Sequence, residues 1–237
     1  MAPFVFSPQW FLGKDLLIDL VSFFALFAIA AVTFQFYRIN KRTEHKLMAV
    51  SFSLLAASFL AKIMTYVVIY YYQLLHLRDI EVVAAVADNT FQGIRLSYIM
   101  FALGFSFYRL AHLAGLYFLY SVYQERKTLS DTVIILFLFF MITYFSHNSF
   151  FAFHLTSLVL LLLMTWRYYQ IYLRNGLVTT RNLMISFFVI ALSQAIFVFQ
   201  TTPVYYVAAE IIQFIGYLIL LITFFTVLYN GKKKKSH

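Results

Sequence analysis

Long apolar stretches, each about the length needed to cross a lipid bilayer, recur through this 237-residue chain. A helix crosses the hydrocarbon core with roughly 20 apolar residues, and it satisfies all its backbone polar groups internally in that medium. The sequence therefore predicts an all-α integral membrane protein, a seven-transmembrane-helix bundle built from one transmembrane domain over 1–237. The predicted spans are 16–37, 47–72, 96–123, 129–145, 150–172, 182–199 and 203–229.

Basic residues lie mostly on one side of this predicted bundle. With seven spans, the loops after spans one, three and five, together with the basic tail 230–237, carry thirteen Lys and Arg residues, whereas the opposite side carries three. Cytoplasmic loops of membrane proteins are enriched in Lys and Arg. We therefore expect an outside N-terminus, a cytoplasmic C-terminus and a multi-pass protein of the cell membrane. A re-entrant hairpin in place of spans four and five is the alternative, but it would move the last two basic clusters outside.

The charge composition indicates which partners to expect. Only 11% of residues are charged, against about 25% in a typical soluble domain. The net charge of +9 fits attraction of the cytoplasmic face to anionic lipid headgroups. The expected partners are thus the lipid bilayer, those headgroups and a protein docking on the cytoplasmic loops, with no nucleic acid. The chain has no cysteine, which excludes disulfides and thiolate metal sites.

Segment 73–95 is the longest predicted outer loop. Its middle, 80–86, is apolar enough for a short interfacial helix or a hairpin strand, and the loop is either a connector on the headgroups or a lid over a pocket. Elsewhere, Asn175-Gly176 is typical of a helix C-terminus, and Thr202-Pro203 is typical of a helix start. Asn230-Gly231 predicts the end of span seven.

Four formally charged side chains are placed inside the hydrocarbon by this prediction: Asp19, Lys62, Arg109 and Glu210. Each costs roughly 2.5–3.5 kcal/mol at the membrane centre on insertion scales, so such groups usually face the bundle interior and form pairs. Lys62 lies about ten residues, or roughly 15 Å, from the outer end of span two, which is deeper than a lysine side chain reaches by snorkelling. We predict that the four residues converge in the outer half of the bundle, with Lys62 paired to Asp19 or Glu210.

Polar residues also recur at helical spacing on six of the seven predicted spans. In span seven, Tyr206, Glu210, Gln213 and Tyr217 share one face, whereas span four is nearly devoid of polar residues and is predicted to be peripheral. A purely architectural polar network is the alternative. The predicted ligand-binding or proton-relay residues are Asp19, Lys62, Arg109, His112, His154, Gln194, Glu210 and Gln213.

Sequence motifs for catalysis or metal binding are absent. The sequence has no HExxH and no glycine-rich phosphate loop, and His147 and His154 have no intramembrane carboxylate beside them. We predict no metal, no cofactor and no catalytic residue, and we do not expect an enzyme. The topology resembles that of rhodopsins and seven-helix receptors, but span seven carries Glu210 and lacks the retinal-binding lysine of microbial rhodopsins. The resemblance is therefore one of helix count and orientation.

These features favour a small-ligand receptor or sensor with an outward-facing polar intramembrane pocket. A proton-coupled transporter or permease is the alternative, and a structural subunit of a larger membrane complex is a third hypothesis. Transporter helices are commonly broken in mid-membrane by Gly or Pro, whereas the three prolines here, Pro3, Pro8 and Pro203, lie outside the span interiors. This shortage of hinge residues favours sensing or scaffolding over transport.

Overall fold

The computed structural model describes residues 8, 10, 11, 13–78, 87–122, 129–145, 150–199 and 202–233, with side chains described for 8, 10, 11, 13–67, 102–122, 133, 135–144, 151–199 and 202–227. Seven α-helices occupy these residues: α1 (Lys14–Asn40), α2 (Thr43–Arg78), α3 (Ala87–Ser121), α4 (Leu129–Phe145), α5 (Phe150–Asn175), α6 (Val178–Val198) and α7 (Pro203–Lys233). Five of them, α1, α2, α5, α6 and α7, are long and apolar enough to cross a membrane. The all-helical, multi-pass membrane fold is thus confirmed.

Several helices extend beyond the predicted spans. Helix α2 continues to Arg78 and α3 begins at Ala87, so helical backbone enters both ends of the predicted 73–95 loop, whose middle lies outside the described residues. Helix α7 continues to Lys233, through the Asn230-Gly231 pair expected to end it. The hydrogen bonds of a helix form within the helix itself. A helix can therefore continue past the end of its apolar stretch, and that end predicts the membrane boundary but not the end of the helix.

Two short turns fold neighbouring helices into antiparallel hairpins. Helix α5 ends at Asn175, and Gly176 adopts a left-handed φ of 63° while its N–H donates to the Tyr172 carbonyl at 2.8 Å. This geometry confirms the predicted C-terminus, because glycine takes positive φ without steric cost. Lys41 ends α1 in the same way, with a φ of 53° and a bond to the Tyr37 carbonyl. At 26 residues, α5 measures about 39 Å, which is long enough to cross a hydrocarbon core of about 30 Å.

Six helices pack in a closed ring in the order α1, α2, α3, α5, α6, α7 and back to α1. Helix α4 packs outside the ring against α3 and α5, which confirms its predicted peripheral position. Helices α6 and α7 approach closely at Gly216, where an added Cβ would lie 2.5 Å from Ile190 Cγ1 and 3.3 Å from the Ser186 carbonyl oxygen. This glycine is therefore a packing contact between two helices.

One half of the ring is filled by apolar side chains from all six helices. This group, called the apolar cluster below, comprises Leu26, Ile29, Ala30, Phe52, Leu55, Ala56, Phe59, Leu116, Leu119, Leu161, Met164, Tyr168, Phe187, Ile190, Ala191, Tyr217 and Leu220. Asp19, Arg109, His154 and Glu210 each precede the members on their own helix by about two turns. The ring is thus apolar in one half and polar in the half nearer the start of α1.

Candidate functional site

Lys62 occupies the centre of the polar half and joins three helices. Its Nζ lies 2.9 Å from Asp19 Oδ1 on α1 and 2.9 Å from Glu210 Oε1 on α7. The three side chains are between 0 and 6% exposed. Lys62 was predicted to pair with Asp19 or Glu210, and in the structure it pairs with both. Asp19, Lys62 and Glu210 are called the charged cluster below.

Three aromatic rings surround the Lys62 ammonium group. Its Nζ lies 5.9 Å from the ring centre of Phe59, 5.7 Å from that of Tyr66 and 5.9 Å from that of Tyr108. Cations within about 6 Å of an aromatic ring are attracted by roughly 0.5–2 kcal/mol, and more strongly when desolvated. The rings therefore supply favourable contacts to an ammonium group that has lost its hydration shell.

A small cavity of about 40 Å³ lies beside the charged cluster. A water molecule needs roughly 10–15 Å³ of such space, so the cavity has room for a few waters. Pockets for organic ligands are typically about 300–1,000 Å³, far larger than this cavity. Its wall consists of Lys62, Tyr66, Phe105, Tyr108, Arg109, Phe153, His154, Phe197, Tyr206, Glu210 and Gln213.

The two carboxylates of the charged cluster differ in their relation to this cavity. Glu210 is part of the cavity wall, and Asp19 is not among the lining residues. The second oxygen of Asp19, Oδ2, is fully buried and has no hydrogen-bond partner among the described residues. Glu210 is therefore the carboxylate of the charged cluster that borders the cavity.

Hydrogen bonds extend the polar surface from the cavity across α5, α6 and α7. His154 Nδ1 and Gln194 Oε1 are 2.8 Å apart, and Gln194 Nε2 donates to Gln213 Oε1 at 3.3 Å. Tyr66 and Tyr206 hydroxyls lie 3.2 Å apart on the other side of the cavity. The arrangement offers groups that donate, accept and exchange protons, placed within one buried space.

Seven of the eight predicted site residues either line this cavity or form a hydrogen bond to a lining residue. Lys62, Arg109, His154, Glu210 and Gln213 line it, whereas Asp19 and Gln194 bond to lining residues. His112 differs, because its buried ring lies beside Phe59, Tyr108 and Phe153 and is not part of the wall. Its Nδ1 is 3.5 Å from Ser58 Oγ, and its Nε2 has no partner among the described residues.

Other buried polar residues on the predicted inward helix faces form hydrogen bonds within their own helix. Ser22, Ser51 and Ser186 donate to the carbonyl four residues earlier. Asp15 accepts hydrogen bonds from the backbone N–H groups of Gly13 and Leu16 at the start of α1. A buried serine on a polar stripe therefore does not by itself mark a functional site, since its hydroxyl bonds locally.

The cavity residues that were not assigned to the site from the sequence include Tyr66, Tyr108, Phe153 and Phe197. Tyr66 lies one turn after Lys62, and Tyr108 lies one turn before His112, so helical spacing was the signal that connects them to predicted residues. Among the described residues, no group of three or more His, Asp or Glu side chains is placed to hold a metal ion. No family model, curated protein or solved structure matches this chain.

Proposed function

We propose that this chain is a proton-responsive membrane sensor. It has seven spans with the N-terminus outside and the C-terminus in the cytoplasm, so the polar half of the ring faces outward. Glu210 takes up and releases a proton delivered from the outer side through the cavity. The small ligand predicted from the sequence is, in this proposal, the proton itself.

The main support for this proposal is that the buried ammonium group of Lys62 bonds carboxylates from two other helices, α1 and α7. A proton on Glu210 removes the charge that binds α7 to Lys62, while Asp19 continues to bind α1 to Lys62. Local charge changes of this kind bias packed elements between two arrangements. Proton uptake would therefore loosen α7 from α2 and convert external acidity into a change of helix packing.

The charges around Glu210 favour this switch over permanent protonation. Lys62 faces it from α2, Asp19 lies behind Lys62 on α1, Arg109 lines the cavity from α3, and His154 lines it from α5. With both carboxylates ionised and His154 neutral, the formal charges sum to zero. Protonation of Glu210 leaves one net positive charge in a buried space, which is costly.

Cavity volume supports a proton in preference to an organic ligand. About 40 Å³ accommodates water and exchangeable protons, and a larger solute would first have to separate the helices. Signalling would then pass to a protein partner that docks on the basic cytoplasmic loops. A structural subunit of a larger complex would use the same loops, and recovery of a stoichiometric partner in both acid and neutral buffer would favour that role.

Proton-coupled transport is a second candidate, favoured by the His154–Gln194–Gln213 chain. A transport path must continue to the opposite face, whereas the apolar cluster fills the ring there with side chains from six helices. Among the described residues of that cluster, none carries a charge. The packing therefore favours a site that loads and unloads from one side.

The deciding experiment compares Glu210→Gln with Glu44→Gln, an exposed glutamate in the first turn of α2. Proton uptake by the purified protein and its thermal stability are measured over a pH series. The parent and Glu44→Gln should take up a proton and lose stability together on acidification, and Glu210→Gln should lose this coupled response. An unchanged response in Glu210→Gln would refute the proposal, and net proton flux in proteoliposomes would replace sensing by transport.

A further inference from the structure

A second concave surface lies on the outside of the ring, between α5 and α6. This α5–α6 groove has a volume of about 660 Å³, within the roughly 300–1,000 Å³ typical of ligand pockets. Apart from Thr165, its lining is hydrocarbon or aromatic, and Trp166 is 60% exposed. The lining residues are Val159, Leu162, Leu163, Thr165, Trp166, Tyr169, Met184, Ile185 and Phe188.

The groove runs along the helix axes. On α5 it extends from Tyr169 to Val159, which lie seven and seventeen residues from Gly176 at the α5–α6 turn. At 1.5 Å per residue, the groove spans depths of about 10 to 25 Å from that turn. A hydrocarbon core of about 30 Å places this length at the depth of lipid acyl chains. The shape is therefore that of a slot for an extended chain.

Positive charge lies at one end of the slot. Arg181 precedes Met184 and Ile185 by three and four residues, so it shares their helix face. Arg174 lies in the last turn of α5, and both arginines are exposed. The chain contains no acidic residue between Asp131 and Glu210. Neither helix of the groove therefore carries an acid that would neutralise this end.

We propose that the α5–α6 groove binds an anionic phospholipid, with an acyl chain in the slot and the phosphate at Arg174 and Arg181. Guanidinium groups bind phosphate oxygens through paired hydrogen bonds, and the aromatic rings of Trp166 and Tyr169 add flat apolar contact. A second copy of the chain is the competing occupant. It is disfavoured by charge, because each copy carries a net charge of +9 and brings the same arginines to this end.

This site is independent of the charged cluster, and the test uses the full chain in detergent. Phosphatidylglycerol and phosphatidylcholine with identical acyl chains are titrated, and retained lipid and oligomeric state are read together by native mass spectrometry. The parent should retain phosphatidylglycerol preferentially. Arg174→Gln and Arg181→Gln should each weaken its retention roughly fivefold, the expected effect of one basic residue at a lipid headgroup. The matched control is Arg42→Gln, an exposed arginine in the α1–α2 turn.

A second pair of variants tests the slot itself. Ile185→Trp fills the groove and should reduce phosphatidylglycerol retention, whereas Ile222→Trp on the exposed face of α7 should not. Glycerol phosphate without acyl chains should not displace the lipid. Equal losses in Arg42→Gln and Arg181→Gln would show only diffuse surface attraction and would overturn the proposal. Undiminished phosphatidylglycerol binding in Ile185→Trp would also overturn it. A lipid-free dimer of the parent that Ile185→Trp converts to a monomer would do the same.

Discussion

Removing members of the charged cluster one at a time should destabilise the protein by unequal amounts. At an effective dielectric constant of about 20, unit charges 2.9 Å apart attract by about 6 kcal/mol. The two bonded carboxylate oxygens are at most about 6 Å apart, because each lies 2.9 Å from the same nitrogen, so they repel by about 3 kcal/mol or more. Within the charged cluster, the charge of Glu210 thus contributes at most about 3 kcal/mol before its desolvation is subtracted.

Glu210→Gln should therefore cost about 1–2 kcal/mol, since the amide oxygen still accepts a hydrogen bond from Lys62. Lys62→Met should cost about 3–5 kcal/mol, because it leaves two buried carboxylates without a counter-charge. Adding Glu210→Gln to Lys62→Met should restore only part of this loss, since Asp19 stays charged without the ammonium group that bonds it. The triple variant with Asp19→Asn as well should recover most of it, because none of the three cluster side chains then carries a charge and Arg109 is the same in every variant.

Thermal and denaturant unfolding in one detergent measure these differences, and Glu44→Gln serves as the exposed control. A cost of Lys62→Met no larger than that of Glu210→Gln would refute the buried ion-pair cluster, and so would a triple variant less stable than Lys62→Met. Stability and proton uptake must be recorded on the same samples. If the cluster is only architectural, the triple variant should still recover stability, but the parent protein should show no response to pH.

Three further predictions concern topology and packing. Single cysteines at Arg42 and Arg174 should resist impermeant thiol reagents in intact cells, and labelling of either would refute the proposed orientation. Gly216→Ala should lower unfolding stability by about 1–3 kcal/mol because its Cβ overlaps Ile190; unchanged stability would show that α6 and α7 separate easily. Tyr66→Phe and Tyr206→Phe should show a coupling of about 0.6 kcal/mol in a double-mutant cycle, the average for intramembrane hydrogen bonds, and additive losses would contradict the 3.2 Å contact.

The sequence was sufficient to predict the convergence of the charged residues because burial in hydrocarbon leaves few alternatives. Asp19, Lys62 and Glu210 lie deep in apolar stretches, where an ionised group must find a partner. Helical periodicity then placed each on an inward face. The outward facing of α4 followed from the same reasoning, since a helix with almost no polar residue needs no polar partner.

Pairwise geometry and volume could not be predicted in this way. Whether Lys62 bonds one carboxylate or two depends on how α1, α2 and α7 meet, and periodicity on single helices does not specify it. The small size of the cavity depends on Phe105, Phe153 and Phe197, which have no sequence feature that separates them from the other 26 phenylalanines. The ends of helices such as α7 could not be predicted either, because the length of an apolar stretch indicates how much of the chain lies in the membrane and not where the helix stops.

The triple contact of Lys62 also has a consequence for how the chain is made. Asp19 and Lys62 are 43 residues apart on helices joined by a two-residue turn, whereas Lys62 and Glu210 are separated by 148 residues. During synthesis from the N-terminus, Asp19 and Lys62 can therefore enter the bilayer together as a neutral pair within the α1–α2 hairpin. Glu210 arrives with the last helix, when the lysine already has one partner. Its carboxylate brings the formal charges of Asp19, Lys62, Arg109 and Glu210 to a sum of zero, so the buried charges balance only when α7 closes the ring.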